Sequence, residues 1–201
     1  MSLQKNFDAQ CKRVSDINEH LPTLLEYARK CQTIIECGVR EIVSSYAFAL
    51  GLKGKHNSSY ILVDPFRSAN INGFVNMCIA EGINALFYHG SDLEYPPTET
   101  DLLFIDTWHI YGQLKRELAH WHSSVKKYII MHDTTVDEWL GETVRRGWNA
   151  QQQSVEHGIP VDEITKGLWP AIDEFLKDHP EWKLEKRFKN NNGLTILVRN
   201  Y

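Results

Sequence analysis

One turn in the first quarter of the chain restricts the fold more than any other feature. The apolar pair Ile34-Ile35 leads into Glu36, the chain turns at Gly38, and a helical pattern follows. A second apolar run, at 60–63, ends at Asp64. Strand–turn–helix units of this kind build a parallel sheet whose strand ends meet at one edge, so we expect the two acids to lie side by side in a ligand site.

The number of glycines in this turn narrows the class of ligand. A dinucleotide fingerprint needs several glycines, because the backbone must approach a pyrophosphate closely. This turn has only Gly38, and bulky Ile42 occupies the later position that requires a small residue. A ligand with ribose but without phosphate fits better, and Asp64 stands where nucleotide-binding folds place an acid against ribose hydroxyls.

Strand and helix patterns alternate along the rest of the chain. Beyond the first turn, strands are predicted at 60–63, 85–88, 102–105 and 128–131, and helices at 21–30, 39–50, 71–81, 111–122 and 169–177. Short, continuous apolar strands are typical of a parallel sheet buried on both faces. Near the C-terminus, 182–188 and 194–198 flank an Asn-Asn-Asn-Gly turn, which predicts an antiparallel hairpin.

Composition limits the classes of protein and partner. The length of 201 residues suits one domain, so 1–201 is predicted to be a single unit. A formal charge of −4 and scattered cations disfavour a nucleic-acid partner. No apolar run reaches the roughly 18 residues of a membrane span. The four cysteines lack a C-x-x-C spacing, which favours reduced thiols in a cytoplasmic protein.

The Glu36-x-Gly38 turn and Asp64 resemble the first two motifs of class I methyltransferases that depend on S-adenosylmethionine (SAM). The resemblance covers about 15–200. It implies an α/β, Rossmann-like methyltransferase fold: a seven-stranded, mostly parallel sheet with a C-terminal antiparallel hairpin and helices on both faces. It also implies that Glu36 and Gly38 border the methionine part of the cofactor, that Ser44 lies near the same turn, and that Asp64 binds the ribose.

The segment after the third predicted strand resembles the third motif of this family. It reads His89-Gly90-Ser91-Asp92, and in the family a small polar residue or an acid at this place contacts the adenine. The resemblance therefore implies Ser91 and Asp92 as adenine contacts. An ordinary turn would have the same composition, so the residues alone leave both interpretations open.

The ends of the fourth and fifth strands sharpen the resemblance to metal-dependent small-molecule O-methyltransferases, including the catechol type and the cephalosporin-hydroxylase-like branch. Asp106 begins an Asp-x-Trp turn, and His132-Asp133 stands where an acidic pair is more usual. The resemblance implies that Asp106, beside the cofactor, binds a divalent cation together with His132 and Asp133. Oxygen ligands suit Mg²⁺, whereas an imidazole shifts preference toward Mn²⁺, Fe²⁺ or Zn²⁺. Alternatively, His132 lies outside the coordination shell.

A base is the remaining requirement of methyl transfer to a hydroxyl group. The acceptor oxygen must lose its proton, and a histidine with a pKa near neutrality can take it. His109 and His132 are the candidate catalytic residues, although a lone histidine is more often structural. The two imidazoles flank two aspartates at neighbouring strand ends, which favours a functional role.

The acceptor and its pocket follow from the resemblance and from one long insert. Residues 134–167 lie between the fifth strand and the next helix, and segments of this length are usually functional. Together with an N-terminal helical cap, 1–30, this lid is predicted to bind a small hydroxylated acceptor, such as a sugar or a secondary metabolite. Arg145 and Arg146 either pair with Glu142 on a solvated face or bind a carboxylate or phosphate of the acceptor.

Two other functions remain open at this stage. A nucleotide-sugar or nicotinamide oxidoreductase would use the same sheet, but the missing glycines disfavour it. A non-catalytic module would keep the fold and lose the chemistry. Binding of SAM distinguishes the methyltransferase from the oxidoreductase, and methyl transfer distinguishes it from the module.

Overall fold

One seven-stranded sheet forms the centre of the computed structural model, which describes residues 2–200. The strands are β1 (Thr33–Cys37), β2 (Ser59–Asp64), β3 (Asn84–His89), β4 (Thr100–Ile105), β5 (Val125–His132), β6 (Trp182–Phe188) and β7 (Leu194–Arg199). Their order is β3-β2-β1-β4-β5-β7-β6. Strands β1 to β5 are parallel to one another, and β7 pairs antiparallel with both β5 and β6. The predicted sheet and its C-terminal hairpin are confirmed.

Helices cover both faces of the sheet, as predicted. They are α1 (Leu3–Lys12), α2 (Leu21–Ala28), α3 (Ser45–Leu52), α4 (Ile71–Ala80), α5 (Tyr111–Trp121), α6 (Glu142–Arg145), α7 (Ala150–His157), α8 (Val161–Thr165) and α9 (Trp169–Asp178). Successive strand residues point to opposite faces. Ile34 thus belongs to the core under α1 to α4, and Ile35 to the core under α5 and α9.

The register of the parallel strands brings their C-terminal ends to one edge. Cys37 of β1 is the partner of Val63 on one side and of Ile105 on the other. Ile105 in turn is the partner of Met131 on β5. The residues that follow these strands therefore lie in a row at the carboxyl edge of the sheet, where open α/β sheets bind ligands.

The turn after β1 differs from the prediction. The sequence predicts a helix soon after Gly38, but α3 begins at Ser45. Between them, Arg40 and Ile42 adopt φ angles of 43° and 63°. These angles lie in the left-handed region that β-branched residues rarely adopt. Ile42 therefore has a backbone conformation typical of glycine, although it is not a glycine. Its side chain is buried, and this burial accounts for the apolar spacing that predicts a helix here.

The predicted lid and cap contain secondary structure of their own. Residues 134–167 include α6, α7 and α8, and Leu140 forms an isolated bridge with Lys166. The N-terminal segment contains α1 and α2, and Leu3 and Phe7 of α1 are buried in the same core as α3. Their predicted role around an acceptor stays a prediction. Within 2–200, no helix is long and apolar enough to cross a membrane.

Candidate active site

The turn after β1 is held together by a buried carboxylate. Glu36 is fully buried, and its oxygens accept hydrogen bonds from Ser44 Oγ at 2.5 Å, from Ser45 Oγ at 2.7 Å and from the hydroxyl of Tyr60. Burial raises the pKa of Glu36 to about 7, against the lowering effect of the three hydroxyl donors. The side chains of Glu36 and Ser44 therefore stabilise the turn from inside, and its backbone is the part that can face a cofactor.

Gly38, directly after β1, lies against the backbone of Asp106, directly after β4. Its φ is 86°, and a Cβ atom there would lie 1.9 Å from the carbonyl oxygen of Asp106. The backbone amides on either side bind neighbouring strands, since Gly38 N–H donates to Val63 at 2.9 Å and Asp106 N–H to Cys37 at 2.9 Å. Only glycine fits this position. The contact places the β1 turn directly beside Asp106.

Asp64, predicted to bind ribose, has backbone partners. One carboxylate oxygen accepts from the amides of Val39 and Arg40 at 2.7 and 2.9 Å, and the other from Phe66 at 2.7 Å. A carboxylate has about four acceptor positions, so one is left for a ligand. Asp64 also lines a surface groove of ≈ 380 Å³ with Phe66 and Arg67. The groove has the size of a small-molecule site.

The methionine side of the predicted cofactor site is closed in this structure. The cavity between Gly38, Arg40 and Asp106 measures ≈ 10 Å³, about one water. Arg40 lies over it and donates to Asp16 at 2.6 Å. Both side chains of this ion pair retain solvent contact, at 64% and 31% exposure. Such a pair contributes roughly 0–1 kcal/mol, so its opening requires little free energy.

Four residues from the ends of β4 and β5 form what we call the carboxyl-edge cluster: Asp106, His109, His132 and Asp133. His109 lies at its centre, with Nε2 at 3.1 Å from Asp106 and Nδ1 at 3.1 Å from Asp133. Two acids of the insert complete the surroundings, because His109 Nδ1 also lies 3.5 Å from Asp137 and 3.4 Å from Glu142. Sequence reasoning missed this pair, which lies in a segment without a recognisable motif.

The charges of this cluster depend on one another. Burial alone would lower the pKa of His109, but Asp106, Asp137 and Asp133 outweigh it and raise that pKa well above its ordinary value. For His132, burial is likewise outweighed by Asp106 and Asp133, and the pKa is raised. Against burial, the two imidazoles lower the pKa of Asp106. Burial raises the pKa of Asp133. These shifts favour positively charged imidazoles among the carboxylates.

Two backbone carbonyls orient the imidazole of His132 from the side opposite the acids. Its Nε2 lies 3.1 and 3.2 Å from the carbonyl oxygens of Asp16 and Asn191, so this nitrogen carries a proton and donates. Its Nδ1 points at the acids, 3.4 Å from Asp106 and 3.6 Å from Asp133. A metal-binding histidine typically donates its second N–H to a carbonyl or carboxylate in this way. The N-terminal cap thereby fixes the direction of the imidazole.

The donor set of the carboxyl-edge cluster fits a divalent cation. Ligand atoms of Asp106, His109 and Asp133 all lie within 4.8 Å of one another. Within residues 2–200, Oδ1 of Asp133 is buried without a hydrogen-bond partner. The φ of Asp133 is 57°, a strained conformation of the kind that clusters at functional sites. The structure thus brings the predicted Asp106 and Asp133 together and places His109 closer to both than His132.

Asp92, predicted to contact adenine, has a buried acid as its neighbour. It is buried against Glu117 of α5, and burial raises the pKa of both acids. Glu117 also accepts from Thr107 Oγ1 at 2.5 Å and from Gln113 Nε2 at 2.9 Å. The adenine contact of Asp92 stays a prediction, because the structure shows only that its side chain is buried beside this second acid. Glu117 gave no signal in the sequence beyond a helical spacing.

Ser91 belongs to the turn itself. Its Oγ accepts from the amide of Leu93 at 3.2 Å, and its carbonyl accepts from Glu94 and Tyr95. Serine side chains close turns in this way. Ser91 remains half-buried at the end of β3, so an adenine contact through its backbone stays a prediction.

The insert lies over the Asp-x-Trp turn. Trp108 Nε1 donates to Thr143 Oγ1 at 3.2 Å. Arg145 makes a bidentate pair with Asp137 at 2.5 and 2.7 Å, and Arg146 lies 3.3 Å from Glu142. Both arginines pair with acids of their own segment. The structure therefore agrees better with the predicted ion pairs than with arginines that are free to bind the acceptor. Arg145 holds Asp137 in the surroundings of the carboxyl-edge cluster.

No family model and no curated protein matches this chain, but solved structures match its fold. SAH-bound methyltransferase PaMTH1 from Podospora anserina is 15% identical, over 99% of this chain and 88% of that chain, with a TM-score of 0.60. The O-methyltransferase from Bacillus cereus in complex with SAH is 13% identical over 98% and 90%, with a TM-score of 0.60. The O-methyltransferase TomG from Streptomyces achromogenes, involved in tomaymycin synthesis and solved with SAM, is 12% identical over 99% and 89%, with a TM-score of 0.61.

These matches confirm the predicted methyltransferase fold over nearly the whole chain. Identities of 12–15% establish the fold alone. One fold supports many functions, so the function has to be argued from the groove and the carboxyl-edge cluster.

Proposed function

We propose that this protein is a SAM-dependent O-methyltransferase that acts on a small hydroxylated molecule with the help of a divalent cation. One observation carries the proposal: the carboxyl-edge cluster joins two strand-end acids, and the glycine contact to Asp106 links it to the turn that borders the Asp64 groove. A methyl donor in the groove and an acceptor at the cluster would lie next to each other. The matches to SAM- and SAH-bound methyltransferase structures support the same assignment.

The chain offers a bipartite site for the cofactor. The groove beside Asp64 would take the adenosine half, with the remaining acceptor position of the carboxylate on a ribose hydroxyl. The methionine half would lie against the Gly38 backbone. Because the cavity there is ≈ 10 Å³, Arg40 and the turn 39–44 must move outward on binding. When bound, SAM supplies an electrophilic methyl group.

The cation site uses Asp106 and Asp133, with Nδ1 of His132 as third ligand. We assign His132 this role because it is fully buried and its other nitrogen is fixed by backbone carbonyls. A cation held there lowers the pKa of a bound hydroxyl and holds it in place. Two carboxylates and an imidazole suit Mg²⁺ or Mn²⁺, with Fe²⁺ and Zn²⁺ as further candidates.

His109 is the residue that we assign to accept the acceptor's proton. It faces the insert, where the acceptor pocket is predicted, and it keeps 8% exposure. The surrounding carboxylates hold its proton in this structure, so the imidazole becomes a base only when positive charge near Asp106 and Asp133 offsets them. The base and the cation site would therefore depend on each other. This coupling explains why an imidazole with a raised pKa is compatible with a role as base.

Calorimetry of cofactor binding tests the first half of the proposal. SAM and its demethylated product SAH should bind, and NAD should not. Asp64→Asn should weaken binding by ~10- to 150-fold, because it removes a charge-assisted hydrogen bond worth ~1.5–3 kcal/mol. Asp162→Asn, at a 72% exposed side chain of the insert, is the matched control and should bind as the wild type does. Binding of NAD without SAH would favour an oxidoreductase instead.

Single-turnover methyl transfer tests the second half. The protein, labelled SAM and Mn²⁺ are mixed with a panel of catechols, sugars and other hydroxylated metabolites. Labelled acceptor is the expected product. If SAH binds tightly and no acceptor in a broad panel is labelled, the fold serves as a non-catalytic cofactor-binding module.

A further inference from the structure

A second group of side chains that could hold a metal ion lies at the opposite edge of the sheet. His122 is in the 3₁₀ turn before β5, His179 ends α9, and Glu181 precedes β6. Their ligand atoms all lie within 4.8 Å of one another. We call these three residues the amino-edge cluster. A β5 strand of eight residues separates it from the carboxyl-edge cluster, roughly 26 Å at about 3.3 Å per residue, so the two cannot share one ion.

The three side chains converge on one point. Nδ1 of His179 lies 3.4 Å from Glu181 Oε1, and Nδ1 of His122 lies 3.9 Å from the same oxygen. In a tetrahedral zinc site, bonds of ~2.0–2.1 Å put ligand atoms roughly 3.3 Å apart. One edge of the triangle already has about this length, the second is 3.9 Å and the third is within 4.8 Å, so binding would draw the side chains closer together.

The ligand atom of His122 is Nδ1. Within residues 2–200, its Nδ1 is buried and without a hydrogen-bond partner. A buried nitrogen in this state is unfavourable unless something binds it. Burial and the neighbouring His179 lower the pKa of His122, which favours the neutral imidazole. Neutral imidazole is the form that binds metal.

The backbone prearranges the other two ligands. The amide of Trp182 donates to the carbonyl of His179 at 2.9 Å, which closes a turn with Pro180 inside it. The amide of Asn200 donates to the carbonyl of Glu181 at 2.7 Å and attaches this turn to the end of β7. Phe175 packs against both imidazoles, with ring centroids 5.7 Å from His122 and 4.6 Å from His179. Little entropy remains to be lost on binding.

Arg199 is a cation beside the cluster, and its position is fixed. Its Nη1 donates to the carbonyl of Val125 at 2.6 Å and lies 3.5 Å from the carbonyls of His122 and Ser123. Its guanidinium also lies 5.6 Å from the ring of Trp182. These contacts fix the position of its charge, which acts on His122 and lowers the pKa of that imidazole.

We propose that His122, His179 and Glu181 bind Zn²⁺ and that the ion fastens α9 and β6 to the start of β5. Two imidazoles and one carboxylate, with water in the fourth position, form a known zinc donor set. Mg²⁺ and Ca²⁺ prefer all-oxygen sites and are disfavoured. The role is structural, since the site lies at the far edge from the groove and the carboxyl-edge cluster.

Calorimetry with ZnCl₂ alone tests the proposal. The carboxyl-edge cluster is first weakened by the double substitution Asp106→Asn/Asp133→Asn, and substitutions in the amino-edge cluster then assign the binding that remains. We expect one equivalent of Zn²⁺ to bind, and a rise in melting temperature with it. Adding His179→Ala or Glu181→Gln should weaken binding at least about tenfold, because even removal of an outer partner of a metal ligand costs 10- to 100-fold. His56→Ala, at an exposed histidine before β2, should change nothing.

Two results would overturn the proposal. One is the absence of Zn²⁺ binding in the double variant. The other is binding that His179→Ala and Glu181→Gln leave unchanged. Should the double variant fail to fold by circular dichroism, the wild-type protein decides: Glu181→Gln must reduce the number of bound equivalents by one, and an unchanged number refutes the site.

Discussion

The two ends of β5 place the same residue types in opposite electrostatic situations. At the carboxyl edge, buried imidazoles are outnumbered by carboxylates, and the pKa of His109 is raised well above its ordinary value. At the amino edge, two imidazoles share one half-exposed acid, and the pKa of His122 is lowered. The ratio of carboxylates to imidazoles in each cluster therefore determines whether the pKa of its histidine is raised or lowered. The carboxyl-edge cluster favours the protonated imidazole of His109, and the amino-edge cluster favours the neutral imidazole of His122.

The largest expected effect comes from Asp133→Asn. It removes half of the paired strand-end charge, so the single-turnover rate of methyl transfer should fall about 100-fold or more, as when a preorganised electrostatic group is lost. SAH binding and the circular dichroism spectrum should stay as in the wild type. Glu181→Gln makes the same kind of change at the amino edge and should leave the rate unchanged. Equal losses in both variants would break the functional contrast between the two edges.

A buried acid whose partners are hydroxyl groups sharpens the comparison. Burial raises the pKa of Glu36 from 4.5 to about 7. Because the folded state holds this proton more tightly, the group stabilises the fold at pH 4.5 and loses roughly 3 kcal/mol of that contribution as the pH rises to 7. Glu36→Gln does not titrate, so its stability relative to the wild type should rise by about that amount between pH 5 and pH 8. Urea unfolding at both pH values measures the difference, and parallel pH profiles would refute it.

Direct titration of the histidines compares the two edges residue by residue. At pH 7.5 His109 should be protonated and His122 neutral, which nitrogen chemical shifts of labelled imidazoles report. His109→Gln and His122→Gln assign the two signals. Because a raised pKa stabilises the folded state below the unfolded value of 6.5, the contribution of His109 should be lost only as the pH rises through its folded pKa. A higher titration midpoint for His122 than for His109 would contradict the proposed electrostatic difference between the two edges.

The smallest expected effect concerns the insert that borders only the carboxyl edge. Residues 134–167 should be nicked by proteases before β4, since side chains such as Trp139 and Val155 are 65% and 79% exposed. SAH with an acceptor should slow the nicking, whereas Zn²⁺ at the amino edge should not. Equal protection of the insert and of β4 would count against its role as a lid.

The strand ends could be predicted because their signal is local. Apolar runs that stop at Asp64, Asp106 and His132 define both the sheet and the edge where the side chains meet. The direction of a side chain leaves no such signal. Asp92 follows β3 as predicted, yet it pairs with Glu117, and that contact depends on how α5 packs.

Long-range partners account for most of what the sequence did not predict. Asp137 and Glu142 reach His109 only because the insert folds back over the Asp-x-Trp turn. The amino-edge residues His122 and His179 are far apart in sequence and follow no metal-binding spacing. The sequence predicts a helix at Ile42 because a buried turn can have the same apolar spacing as a helix.

The dependence of methyl transfer on a divalent cation tests the central claim most directly. Wild-type protein is exhaustively chelated, loaded with labelled SAM and assayed against an acceptor from the panel, before and after Mg²⁺ or Mn²⁺ is restored. The account predicts that transfer is lost on chelation and recovered with the cation, because Asp106 and Asp133 hold it beside the reacting oxygen. Transfer at an equal rate in the chelated protein would contradict the cation site and leave these aspartates as partners of a histidine base.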